Sequence, residues 1–362
     1  MTEPLLSFSA PHINIDGELR SELTRDLLQL EIAEANDGLR TMTARFVAYG
    51  PHADFQEDSL LYLDGGVFDF GSEITVDIGP EESAETVFTG TISAIEAEFS
   101  EGHEPEVVIR AEDKLMRLRL TRRMHSYEDM SDSDIVREIA DNNGMDAEVD
   151  VDGPTYDIVQ QWNMSDLAFL RERAHRVQAD VWFAEDKLHF KTRSRRSGSE
   201  ITLVQGNHLL HLRACADLSG QRSAVRVCGY NAQDRELIDE TAEGDVIQSE
   251  ALQGRTGPEI LGQVFSGDRV SYRSRDVPLN AEEAQAWALA EMLRRGRSFV
   301  KVKGTTRGTP QMNVGSVVTL ERVGQPFEGA GYYVVGVRHT YDLSRGYRTC
   351  FEAERGAVET AA

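Results

Sequence analysis

From Gly308 to Phe351 the chain alternates apolar and polar residues at a period of two, interrupted at intervals by glycine. Gly308-Thr309-Pro310 and Gly315 mark a turn ahead of a short strand ending near Leu320. Gly329 and Gly331 lead into Tyr332-Tyr333-Val334-Val335-Gly336-Val337-Arg338-His339-Thr340-Tyr341-Asp342, and Gly346 opens a third run through Phe351. Such alternation commits a segment to β-strand, because successive side chains of a strand leave on opposite faces. On this reading Tyr333, Val335, Val337, His339 and Tyr341 share one face, and Tyr332, Val334, Gly336, Arg338 and Thr340 the other.

The rest of the chain divides by texture. Residues 1–120 read as a first β unit: Glu73–Ile78 alternates cleanly, and Phe88–Glu96 and Glu106–Ala111 follow as strands, with Gly65-Gly66 and Gly79-Pro80 at turns. Residues 121–198 read as an inserted α+β unit. Ser131 caps a helix with Asp134 as its capping-box partner, Ile135, Val136, Ile139 and Ala140 form its apolar face, and Asn142-Asn143-Gly144 stops it. A second helix starts near Ser165-Asp166 and carries Leu167, Leu170, Ala174 and Val177; a hairpin of Ala179–Phe183 and Lys187–Phe190 follows. Residues 199–235 and 298–356 are expected to form a second β unit, with Ala224–Tyr230 its clearest strand. Between them, 236–297 is read as a polar excursion with little core of its own, ending in a helix capped by Asn280 and burying Ala284, Trp287, Ala288 and Met292. Many short strands with turn signals favour barrels or sandwiches. No short-period repeat is visible, although two β units flanking an α+β insert fit an old duplication.

At 362 residues, two to four compact units are expected. Mean hydropathy is -0.41 and no run reaches the ~18 apolar residues of a membrane helix. Met1-Thr2-Glu3-Pro4 lacks the basic and apolar regions of a signal peptide, which points to a cytosolic site of assembly. Cys215, Cys228 and Cys350 form no C-x-x-C pair and read as reduced thiols. The net charge of -24 is unevenly placed: residues 1–113 hold 25 acids against 5 bases, leaving 37 against 33 for the remainder. The first third is therefore read either as a solvated acidic face that keeps the protein soluble or as a surface that meets a basic protein partner, and on both readings DNA binding through it is disfavoured.

Chemical motifs are sparse. His208 and His211 lie in extended chain, where a spacing of three puts their rings on opposite faces, so no shared metal is expected. No nucleophile elbow, zinc-protease helix, P-loop or dinucleotide fingerprint occurs, and acidic pairs such as Glu81-Glu82 and Asp239-Glu240 carry no sign of glycosidase carboxylates. No catalytic residue, cofactor or metal is expected. Two basic clusters remain, Lys114–Arg123 and Lys191–Arg196. Each reads as a domain-boundary segment or a subunit contact rather than a nucleic-acid site; Arg122, Arg123, Arg193, Arg195 and Arg196 are the candidate subunit or partner contacts, expected to meet the acidic first third across a subunit boundary.

Several ordered motifs resemble the phage late-control D protein family of tail baseplate hubs, which is similar to the N-terminal part of type VI secretion spike proteins. They are the Gly308–Gly315 turn, Phe327-x-Gly329-x-Gly331-Tyr332-Tyr333-Val334, Val337-x-His339-x-Tyr341-Asp342 and Gly346-Tyr347-x-Thr349. Phe88-x-Gly90-x-Ile92, the stretch from Val108 through Asp113 to Arg117-Leu118, Ser131–Ala140, and Tyr156 through Gln160-Gln161-Trp162 to Ala174 add to these. The resemblance implies two β-barrels per subunit plus a small α+β domain, in a homotrimeric ring of pseudo-six-fold symmetry. Such a ring joins a hexameric inner tube to a trimeric spike, because closed oligomers must match symmetry where they meet. Implied partners are further copies of itself, a central spike protein, the inner tube protein and baseplate wedge proteins, with no specific nucleic-acid binding. The chain ends at Ala362 just past the last strand, so the spike is expected to be a separate protein. The resemblance also implies that the protein is a baseplate component of a phage tail or injection-system particle. The rival classes are a tail-associated adhesin and a cell-wall hydrolase.

Overall fold

A computed structural model describes residues 10–51, 58–80, 83–196, 198–232, 234–251, 253–274 and 277–359. The Met1–Pro4 terminus and the Glu81-Glu82 pair lie outside the described residues. The protein is mainly β, and its frame is one 13-stranded sheet. From one edge the main path runs through Leu209–Ala216, Val300–Thr306, Gly346–Arg355, Gly329–Asp342, Leu27–Ala35, Thr41–Val47, Glu106–Glu112, Glu85–Glu98, Glu73–Ile78, His12–Ile15 and Glu18–Leu19. Glu200–Val204 joins off this path, pairing parallel to Val317–Glu321. The first and last thirds of the chain meet at the centre, where Leu27–Ala35 pairs antiparallel with Gly329–Asp342.

Four apolar cores sit on this frame. The first gathers Ile13, Leu27, Phe46, Phe68, Ile74, Phe88 and Ile109, and takes Tyr347 from the C-terminal strand. A second lies within the α+β unit around Leu115, Ile135, Tyr156, Leu170 and Phe190. The third packs Val302, Met312, Val318, Tyr332, Val334 and Phe351. The fourth places Val225, Val227, Ile238 and Ala242 against Ala284, Trp287, Ala288 and Met292.

Helix boundaries follow local chemistry. Asp132–Asn142 begins with the capping box of Ser131 and Asp134. Ser165 Oγ accepts from Ala168 N–H to start Asp166–Val177, and Asn280 Oδ1 accepts from Glu283 N–H at 2.8 Å to start Ala281–Arg297. The hairpin Ala179–Ala184 and Lys187–Thr192 pairs as alternation predicts.

Three expectations are corrected. The strand Gly329–Asp342 does not keep one buried face. A bulge between Val334 and Gly336 inserts Val335 as an extra residue, so Tyr332 and Val334 are buried before it and Val337 and His339 after it. Ala224–Asn231 is not part of the large sheet; it is the middle of a separate three-stranded sheet with Glu236–Glu243 and Val270–Arg273. Residues 236–297 are not a coreless excursion, because Ile238 and Ala242 lie against the Ala281–Arg297 helix in the fourth core.

Candidate functional site

The basic segment after the hairpin leads directly to a buried network of charges. Arg196 donates to Glu34 at 3.0 Å and Asp180 at 3.3 Å, and its guanidinium lies 4.1 Å from the Trp182 ring centroid. Glu34 also accepts from Arg40 at 2.6 Å, while Asp180 accepts from the Tyr333 hydroxyl at 2.6 Å. Arg193 pairs with Glu354 at 2.5 Å and stacks 4.6 Å over Tyr333. This seam ties strand Leu27–Ala35, the α+β unit and strands Gly329–Asp342 and Gly346–Arg355 into one network. Burial opposes the Arg193 charge, yet Glu354 and Asp180 hold its pKa above the ordinary value. Burial and Asp180 push the Tyr333 phenol up. Gly315, at φ +95°, makes room: a Cβ there would stand 2.7 Å from Arg196 Nε.

Arg196 is therefore buried and Arg193 largely enclosed within the chain rather than presented on its surface. Arg196 does reach the acidic first third, through Glu34, but inside its own chain. Arg195 pairs with Asp150 and, at 2.8 Å, with Asp152 of the α+β unit. Arg122 donates to the Asn163 carbonyl at 2.8 Å and remains exposed. Arg123 pairs with the buried Asp166 at 3.0 Å. The structure thus separates the five: two are structural, and Arg122, Arg123 and Arg195 line the outside of the α+β unit.

The motif residues of that unit find partners within it. Asp166 accepts from Arg123, from Asn143 Nδ2 at 2.9 Å and from Gln161 Nε2 at 2.9 Å. Asp132 accepts from Tyr156 at 2.7 Å and from Arg173 Nε at 2.6 Å, with Arg173 also 4.3 Å over the Tyr156 ring. Trp162 is the exception: its indole donates to Gln160 at 2.9 Å and its side chain is exposed.

His339 is enclosed by the 308–316 turn. Its Nδ1 meets the Tyr347 hydroxyl at 2.7 Å and Thr349 Oγ1 at 3.1 Å, and its Nε2 meets the Met312 carbonyl at 3.1 Å. Burial pushes the imidazole down to about 4. Asp113 is buried and pushed up to about 7, and it accepts backbone N–H bonds from Arg40 and Leu115 at 2.9 and 3.0 Å.

Among the described residues no group of three His, Cys, Asp or Glu is placed to hold a metal. A cavity of about 570 Å³ is lined by Arg193, Glu250, Arg297, Tyr333, Glu354 and Arg355, and one of about 660 Å³ by Ala33, Ala35, Gly304, Gly336, Cys350 and Phe351. In the first, Arg193 and Arg297 are paired with Glu354 and Glu250, a cross-linking arrangement. No described helix is long and apolar enough to cross a membrane.

A 13-stranded sheet with an α+β unit locked to its centre is a fold shared with tail proteins. The 43 kDa tail protein of prophage MuSo2 from Shewanella oneidensis is similar over 97% of this chain and 100% of its own, at TM-score 0.68 and 14% identity. A tail protein from Neisseria meningitidis MC58 is similar over 96% of each chain, at TM-score 0.65 and 12% identity. The E. coli c3393 protein, a type VI secretion component described as structurally similar to T4 phage tail proteins gp27 and gp5, matches 93% of this chain and 76% of its own, at TM-score 0.57 and 14% identity. Identities this low establish a common fold. By sequence, the chain belongs to the family described as the Alg8 N-terminal domain, whose model matches residues 22–342. No curated protein matches it. The resemblance to hub proteins read from the sequence is thus carried at the level of fold.

Proposed function

We propose that the protein is a structural hub of a contractile tail or tail-like injection particle, joining a hexameric inner tube to a trimeric central spike. The observation that carries this reading is the extent of the shared fold, which spans nearly the whole chain in two tail proteins and most of it in a type VI secretion component. The buried seam suits a part that transmits load, since Arg196 and Arg193 tie both ends of the chain to the inserted unit. In this reading the chain is not an enzyme. It assembles as a homotrimer, with two β-barrels per subunit set around a pore, and meets spike, tube and wedge proteins through its surfaces.

Light scattering after size exclusion tests the trimer: three copies of 40.4 kDa give about 121 kDa. Co-sedimentation of the chain with its own tube protein tests the role. A chain that stays monomeric and binds neither tube nor spike would overturn it.

A further inference from the structure

The two-stranded ribbon of Arg122–Ser131 and Thr155–Ser165 carries a surface that the α+β core does not use. Tyr127, Val159 and Gln161 are buried beneath it. The opposite face pairs Met124 with Trp162 across the strands and continues to Ile158, while Leu120 stands just before the ribbon. These side chains are 69%, 62%, 42% and 67% exposed. The rim is basic at the Leu120 end, where residues 117–124 contain four arginines and no acid and Arg117, Arg119 and Arg122 are exposed, while the exposed Glu128 stands across from Ile158 at the other end.

A complementary element exists in the same chain. Strands Glu85–Glu98 and Glu106–Glu112 form a long hairpin whose end, residues 96–106, holds five glutamates and no lysine or arginine; Glu98 and Glu106 are paired with Arg45 and Glu96 with Arg110, which leaves Glu101 and Glu104 for a partner. At its tip Phe99 is 63% exposed, next to Glu98, Glu101 and Glu104. The base of the hairpin, Glu112, is bonded to Arg119 at 2.7 Å, and its tip lies about 20 Å along the strand from there at ~3.3 Å per residue.

We infer that the acidic Phe99 hairpin tip of one copy docks on the basic-rimmed Met124–Trp162 face of a second copy. This rests on the hub reading above and names the surfaces by which copies join. Because the two patches differ, the contact is head-to-tail, which gives a ring where the rotation between copies closes. The aromatic anchors supply buried apolar area, and the arginine and glutamate rims set orientation and register.

The test places the photo-crosslinker p-benzoylphenylalanine at position 162 in the full chain. Irradiation is expected to give a product of twice the chain mass, with the captured peptide lying between residues 96 and 110. Capture of another segment, or no product, overturns the inference. A parallel experiment reverses charge: Arg117→Glu with Arg122→Glu, or Glu101→Lys with Glu104→Lys, is expected to weaken self-association at least about ten-fold. The four changes together should restore it to within about three-fold, which misfolded variants would not do. A multimer of unchanged affinity in both reversed variants sinks this interface and leaves the hub reading standing. A monomer that also binds no tube protein sinks both.

Discussion

Residue by residue, the difference between neighbouring arginines is the sharpest result. Arg196 is enclosed with Glu34 and Asp180, so Arg196→Ala leaves two buried carboxylates with a partner removed. The expected loss is about 3–5 kcal/mol in urea unfolding. Arg195, one residue earlier, faces solvent beside Asp150 and Asp152, and its alanine variant should lie within about 1 kcal/mol of wild type. Equal losses at both positions would mean the seam is not a buried network. His339 gives a pH prediction. Its folded pKa is near 4, below the ordinary 6.5, so the unfolded chain binds the proton more readily. The native state keeps full stability above about pH 6.5 and loses about 3 kcal/mol as pH falls toward 4. Urea midpoints of wild type and His339→Gln at several pH values check this, because the variant should lack that part of the slope.

For single elements, local chemistry reads well and phase does not. The caps at Ser131, Ser165 and Asn280 stand where hydroxyl, amide and carboxylate spacing places them. Asn280→Ala should cost about 1 kcal/mol. Trp287 lies in the fourth core against the small sheet, with Arg176 and Arg273 at 4.7 and 5.4 Å from its ring. Trp287→Ala should cost about 3–5 kcal/mol, with amide exchange accelerating first in Ala224–Asn231 and Glu236–Glu243. Uniform acceleration across the large sheet would contradict this. The bulge at Val335 escaped the sequence because one extra residue leaves the local alternation intact while exchanging the buried face. Short helices such as Ser21–Asp26 and Gly257–Val264 carry too few residues to show a period.

For the whole molecule, the pairing of Leu27–Ala35 with Gly329–Asp342 makes the first and last thirds one sheet. A fragment ending at residue 198 would expose that strand as a free edge and leave Tyr347 missing from the first core. It should aggregate or remain unfolded, whereas independent folding with native-like exchange protection would show that the two β units do not depend on each other.

Sequence alone determined the mainly β character, the α+β insert with its two capped helices, and the acidity of the first third, because periodicity, capping and charge are local properties. It also placed Arg193 and Arg196 among the residues to watch. Only the tertiary structure decided that these two are internal ties while Trp162 and Phe99 stand in solvent. Burial is a property of what the rest of the chain brings alongside. Glu34 and Arg196 are separated by 162 positions, and only the closed sheet puts them at 3.0 Å.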